Sequence, residues 1–218
     1  MKFRKVAVLG GYGNMGSDIV RTIAQAGLEV LLYEDNLELA QMGKSKLDKT
    51  FQKLIKKGKI SAQVKQNMLN RITVCDNYEA MFDVDLVIEA VFDNAQLTGD
   101  IFKKLDGIVK YETLLASDTW SQSLTEIASA TNRPDKVIGI HFINPVPFMK
   151  RVELEEGWAT SEDTYQASVD FCEQIGKKVR HGWRKCVLSP YLNRNSHSSS
   201  CLNHKVIVST NIPECALG

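Results

Sequence analysis

Apolar residues along the chain follow two periods. Short, nearly continuous apolar runs occur at 5–9 (KVAVL), 30–33 (VLLY), 72–75 (ITVC), 85–91 (DLVIEAV), 113–117 (TLLAS) and 137–141 (VIGIH). Runs this short, without polar alternation, predict strands covered on both faces. Between them, apolar residues recur at helical spacing. Examples are Ile19, Val20, Ile23, Ala24 and Ala26, then Leu47, Phe51, Leu54 and Ile55, then Leu97, Ile101, Phe102, Leu105 and Ile108. These predict helices over 17–26, 36–58 and 96–109, with shorter ones at 61–70, 78–82 and 123–130. A short strand at 151–154 precedes a last helix. Thr160 is its expected cap, Asp163 completes a capping box, and Gly176 closes it. Strand and helix alternate throughout, which predicts an α/β fold: a doubly wound, mostly parallel sheet with helices on both faces.

The first strand runs directly into Gly10-Gly11-Tyr12-Gly13-Asn14-Met15-Gly16, in which Gly11, Gly13 and Gly16 fit G-x-G-x-x-G. A helix follows, and the second strand ends in Glu34-Asp35. Strand, glycine turn, helix and a later acid together predict a dinucleotide site. Gly11 is expected to permit the turn, Gly13 to leave room for a pyrophosphate, and Gly16 to let helix and strand pack closely. The helix N-terminus attracts phosphates through free N–H groups and its dipole. The acid favours NAD over NADP, because a carboxylate binds a ribose hydroxyl and repels a 2′-phosphate.

With 27 Lys+Arg against 26 Asp+Glu, the net charge of +1 gives no general pull toward nucleic acid or anionic membrane. No apolar run reaches membrane-spanning length or forms a signal-peptide core. The five cysteines, Cys75, Cys172, Cys186, Cys201 and Cys215, form no C-x-x-C pair. A reducing cytoplasm, without a disulfide framework or a zinc site, is the simplest expectation. One charged feature stands out locally: Lys44, Lys46, Lys49, Lys53, Lys56 and Lys57 line one face of the 36–58 helix. Two readings stay open, a solvated face and a cradle for the phosphates of a second ligand.

The strand ending in His141 is followed by Phe142-Ile143-Asn144-Pro145-Val146-Pro147, and Glu153 lies in the next strand. The prolines impose an extended, rigid turn, so His141 and Glu153 can meet as sides of a hairpin-like return. A histidine oriented by a carboxylate makes a general base, since the acid fixes the tautomer and stabilises the imidazolium.

These stretches resemble one family: the NAD-binding domain of L-3-hydroxyacyl-CoA dehydrogenases. The resemblance covers roughly residues 3 to 178. It rests on the glycine turn with Glu34, on Val87-Ile88-Glu89-Ala90-Val91 with Asp93-Asn94, on Ala116-Ser117-Asp118-Thr119, and above all on 141–147 through Glu153. It implies a Rossmann-type sheet and oxidation of a 3-hydroxyacyl-CoA by NAD, in fatty-acid β-oxidation or butanoate metabolism. His141 and Glu153 would form the catalytic pair. Gly11, Tyr12, Gly13, Asn14, Met15, Gly16, Glu34, Ala90, Val91, Asp93 and Asn144 would contact the cofactor. An NAD(H)-binding homologue without turnover is the alternative.

The chain also departs from that pattern. Trp120 stands at the family's substrate-contacting serine, with Ser121 beside it, and Thr98 stands where many members have a cofactor-contacting lysine. The first turn is one residue longer. After Lys178 the family continues into a helical domain that completes the acyl pocket and forms the dimer. Residues 179–218 show no sustained helical stripe and carry a serine cluster at Ser196, Ser198, Ser199 and Ser200. They read as an irregular tail from a shifted reading frame or a truncation, leaving the usual dimer interface without a counterpart. His197, Cys201, His204 and Cys215 fit no recognised zinc spacing.

Overall fold

The computed structural model describes residues 2–91, 95–120 and 122–181. In chain order the elements are β1 (Lys5–Leu9), α1 (Asn14–Gln25), β2 (Glu29–Tyr33), α2 (Leu37–Lys56), α3 (Ala62–Asn70), β3 (Ile72–Cys75), β4 (Leu86–Glu89) and α4 (Ala95–Asp106). They continue with β5 (Leu114–Ser117), α5 (Leu124–Ser129), β6 (Val137–Phe142), β7 (Arg151–Glu156), α6 (Glu162–Gln174) and β8 (Lys178–His181).

The eight strands form one sheet in the order β3-β2-β1-β4-β5-β6-β7-β8. β3 through β6 run parallel; β7 returns antiparallel to β6 and β8 runs parallel to β7. The mostly parallel, doubly wound sheet expected from the sequence is therefore present. Strand order reverses between β1 and β4, and in open α/β sheets that switch point is where ligands sit, at the carboxyl ends of the strands.

Continuous apolar strands follow from burial on both faces. Val6 and Val8 of β1 join a core with residues of α1, α2 and α6, while Ala7 and Leu9 join a second core with residues of α4 and α5. The amino terminus is tied to α6. Phe3 stacks edge-on against Phe171 with ring centroids 5.2 Å apart, and Gln174 bonds both Phe3 N–H and Phe3 C=O.

Several boundaries differ from the sequence reading, three of them with consequences for the site or its surroundings. α1 begins at Asn14, inside the glycine turn, rather than at residue 17. Ser161, not Thr160, caps α6, its hydroxyl accepting from Thr164 N–H. Thr160 instead donates to Val137 C=O and accepts from Gly157 N–H, so its hydroxyl is spent on joining loop to sheet. β8 begins at Lys178 and continues to His181, into the stretch from 179 on that was expected to be irregular tail; the tail from 182 onward, with its serine cluster and its remaining His and Cys residues, lies outside the described residues.

Candidate active site

The glycine turn packs into the crevice between β1 and β4. Gly10, rather than Gly11, is the residue in the left-handed region, with φ +79°. A Cβ there would lie 2.5 Å from Ala90 C=O, so the extra glycine is required both by conformation and by the end of β4. A Cβ on Gly16 would collide with the Gly10 carbonyl, so the third motif glycine lets α1 pack closely against the turn itself, where helix against strand was expected.

α1 differs from its neighbours at its first turn. α2, α3, α5 and α6 are capped by the side chains of Asn36, Ser61, Ser123 and Ser161. α1 is capped by Gly13, with no side-chain cap bond and no acid in the first turn. Gly13 N–H bonds Gly10 C=O and the ladder begins with Ser17 N–H to Gly13 C=O. The helix itself offers no acceptor to the N–H groups of Asn14, Met15 and Gly16. A bare positive helix end, lined by glycine and exposed at Tyr12, Gly13 and Asn14, is the fit a diphosphate requires.

Glu34, at the end of β2, completes this half of the site. Its Oε1 accepts from Tyr12 N–H at 2.6 Å, joining β2 to the tip of the turn. Burial raises the Glu34 pKa, with Asp35 adding to the effect and the Tyr12 N–H opposing it. Ala90 and Val91 follow β4 beside the turn; Ala90 N–H bonds Leu9 C=O and Val91 N–H bonds Glu89 Oε1. Met15 is half-buried against the core, and Asn144 is exposed in the turn after β6. Asp93, Asn94 and Ser121 lie outside the described residues. Thr98 is fully buried, so its hydroxyl does not stand in for an exposed lysine.

The second half of the site stands two strands away, at the carboxyl end of β6. His141 and Glu153 are cross-strand neighbours in the β6–β7 register, as the hairpin-like return requires. The imidazole does not pair with Glu153, however. His141 Nε2 lies 3.0 Å from Glu155 Oε2, while Glu153 Oε1 sits 3.8 Å from Arg180 Nη1 on β8. The two carboxylates, two residues apart, share one face of β7 with His141. Strand alternation in Glu153-Leu154-Glu155 carried that signal, but spacing alone does not say which acid the ring turns toward.

Trp120 accounts for part of the orientation. Its indole stacks on the imidazole with centroids 4.4 Å apart and planes tilted by 33°, while remaining 58% exposed. Beneath it, Asp118 Oδ1 accepts from Phe142 N–H at 2.8 Å and Asp118 N–H donates to Glu89 C=O, which ties the ends of β4, β5 and β6 together. Burial pushes the Asp118 carboxyl up to about 7; the Phe142 N–H and His141 oppose the shift and Glu89 adds to it. His141 Nδ1 is buried and has no hydrogen-bond partner among the described residues. Among the described residues no cluster of three or more His, Cys, Asp or Glu could hold a metal ion.

Comparison with known proteins agrees with this geometry. The family model "3-hydroxyacyl-CoA dehydrogenase, NAD binding domain" matches residues 5–181. The 3-hydroxybutyryl-CoA dehydrogenase of Clostridioides difficile is 43% identical over 173 residues, covering 79% of this chain and 61% of that protein. The human mitochondrial hydroxyacyl-coenzyme A dehydrogenase is 34% identical over 180 residues, covering 80% and 57%. Among solved structures, the (S)-3-hydroxybutyryl-CoA dehydrogenase of Ralstonia eutropha superposes with a TM-score of 0.79 at 37% identity, covering 83% of this chain and 63% of that one. The chain thus spans about three fifths of the length of these relatives.

Proposed function

The chain belongs to the NAD-binding domain family of 3-hydroxyacyl-CoA dehydrogenases, and from that premise we propose that it interconverts a 3-hydroxyacyl-CoA and its 3-keto form. The observation that carries this reading is the common sheet edge. A glycine turn fit for a dinucleotide diphosphate follows β1, and a histidine backed by carboxylates ends β6.

Bound NAD supplies the hydride acceptor. The chain's own work is to hold the cofactor and to move a proton. In the oxidative direction the C3 hydroxyl proton goes to a ring nitrogen of His141, the C3–H bonding pair leaves as hydride, and the C3–O bond becomes a carbonyl. Glu155, with Glu153 beside it on β7, stabilises the imidazolium that results. In the present arrangement Nε2 is engaged by Glu155 and Nδ1 is buried. Turnover therefore requires the ring to rotate and Trp120 to leave its face. The buried thiols of Cys75 and Cys172 suit a reducing cytoplasm, and among the described residues no helix is long and apolar enough to cross a membrane.

The Trp120 stack favours a second reading, an NAD(H)-binding protein without turnover. Following NADH absorbance with acetoacetyl-CoA separates the two. The enzyme reading expects oxidation of NADH that falls by about 10²–10⁴-fold in His141→Gln. NADH binding without oxidation supports the second reading and removes the first.

A further inference from the structure

The α2 lysines do not share one role. Lys44 Nζ donates to Ile72 C=O at the start of β3, and Asp48 is paired with Lys65 of α3 at 2.7 Å. Lys46 alone reaches the glycine turn. Its Nζ donates to Asn14 Oδ1 at 3.0 Å, lies 3.4 Å from Tyr12 C=O and stands 5.7 Å from the centroid of the Tyr12 ring.

The sequence explains how it gets there. A Cβ on Gly43 would lie 3.4 Å from Tyr12 Cα and 3.5 Å from Gly11 C=O, so α2 lies close against the turn at that point. Residue 46, three positions on, is on the same helical face and overhangs the start of α1.

That placement runs against the usual electrostatics. A helix N-terminus carries partial positive charge and favours anions. The first turn of α1 contains no acid and among the described residues Lys46 is in no ion pair; Asp18, one residue further along α1, is the acid that feels Lys46, and it shares that field with Arg21 and Lys177. An exposed lysine could extend into water instead; here the ammonium is drawn in by two neutral oxygens, Asn14 Oδ1 and Tyr12 C=O. Two positive features thus converge on the turn, offset only in part by Asp18, and a dianionic diphosphate relieves both.

We infer that Lys46 is a cofactor-binding residue, with its ammonium taking the dinucleotide diphosphate from the α2 side while the α1 N–H groups take it from the other. The inference rests on the family's NAD site and not on turnover.

The test is nucleotide binding by the full chain and by its Lys46→Met and Lys46→Arg variants, with dissociation constants measured for NADH, ADP and adenosine. Lys46→Met is expected to weaken NADH and ADP by about tenfold and to leave adenosine unchanged. Lys46→Arg, which keeps the charge, should restore most of the loss, and the deficit of Lys46→Met should shrink near 1 M salt, as screening requires. Unchanged NADH and ADP binding in Lys46→Met overturns the inference. So does an equal loss of adenosine, because it would make Lys46 a strut that only shapes the turn. If the unaltered chain binds neither NADH nor ADP, the NAD site itself fails and this inference with it.

Discussion

Asp118 shows how a single side chain links packing to the site. It sits at the end of β5, 7% exposed, and burial holds its carboxyl at about 7 instead of the ordinary 3.8. The folded chain binds a proton there that the unfolded chain has already released. Stability therefore declines as pH rises from about 4 toward 7, and the penalty is fully present above that. The full interval is worth about 4 kcal/mol as an upper bound. Asp118→Asn removes the charge while preserving an acceptor for Phe142 N–H. Its melting temperature should gain on the unaltered chain as pH goes from 5 to 8, with little difference at pH 5. Parallel melting curves across that range would refute the assignment. At this scale the sequence carried the residue types and much less of their pairing. The pairing of His141 with Glu153 across the β6–β7 return was legible, but Glu155 was not, and the turn of the imidazole toward it goes with the Trp120 stack, a contact between distant segments.

At the scale of elements, periodicity and capping chemistry did most of the specification. β1, β2, β3 and α2 through α6 follow the apolar spacing because each strand is covered on both faces and each helix lays one stripe on the sheet. The differences have local causes. α1 starts early because a glycine-rich turn can itself become the first helical turn, which apolar spacing cannot show. The cap of α6 falls on Ser161 because Thr160 is drawn away by Val137 and Gly157. A connection that spacing could not reveal joins α4 to the segment before β6. Arg133 Nε bonds Asp106 Oδ1 at 2.6 Å, both side chains are under 9% exposed, and Asn132 N–H donates to Asp106 Oδ2. Burial pushes the Asp106 carboxyl up, but the bonds from Asn132 and Arg133 outweigh it and hold the group below its ordinary value. Its stabilising contribution is present above pH 3.8 and lost as pH falls through the lowered value. Asp106→Ala leaves a buried guanidinium without its carboxylate and should cost about 3–5 kcal/mol in denaturant unfolding; a loss under 1 kcal/mol would show that Arg133 finds sufficient partners in backbone carbonyls alone.

For the whole molecule, the arrangement of the sheet turns these local features into a site. Reversal of strand order between β1 and β4 opens the crevice that the glycine turn fills, and the parallel run from β4 to β6 carries His141 to the same edge. That much was legible from the alternation of strand and helix, because right-handed crossovers leave few other ways to assemble it. Bare backbone at α1 is fit to grip the NAD diphosphate, and Glu34 stands at the end of β2 where a 2′-phosphate would meet its carboxylate. Titration of the full chain with NADH and then NADPH, read by the fluorescence of the reduced nicotinamide, tests this reading most directly. Saturable NADH binding at least about tenfold tighter than NADPH is expected, because a carboxylate at Glu34 would repel a 2′-phosphate. Absence of saturable NADH binding, or equal affinity for the two, would contradict it.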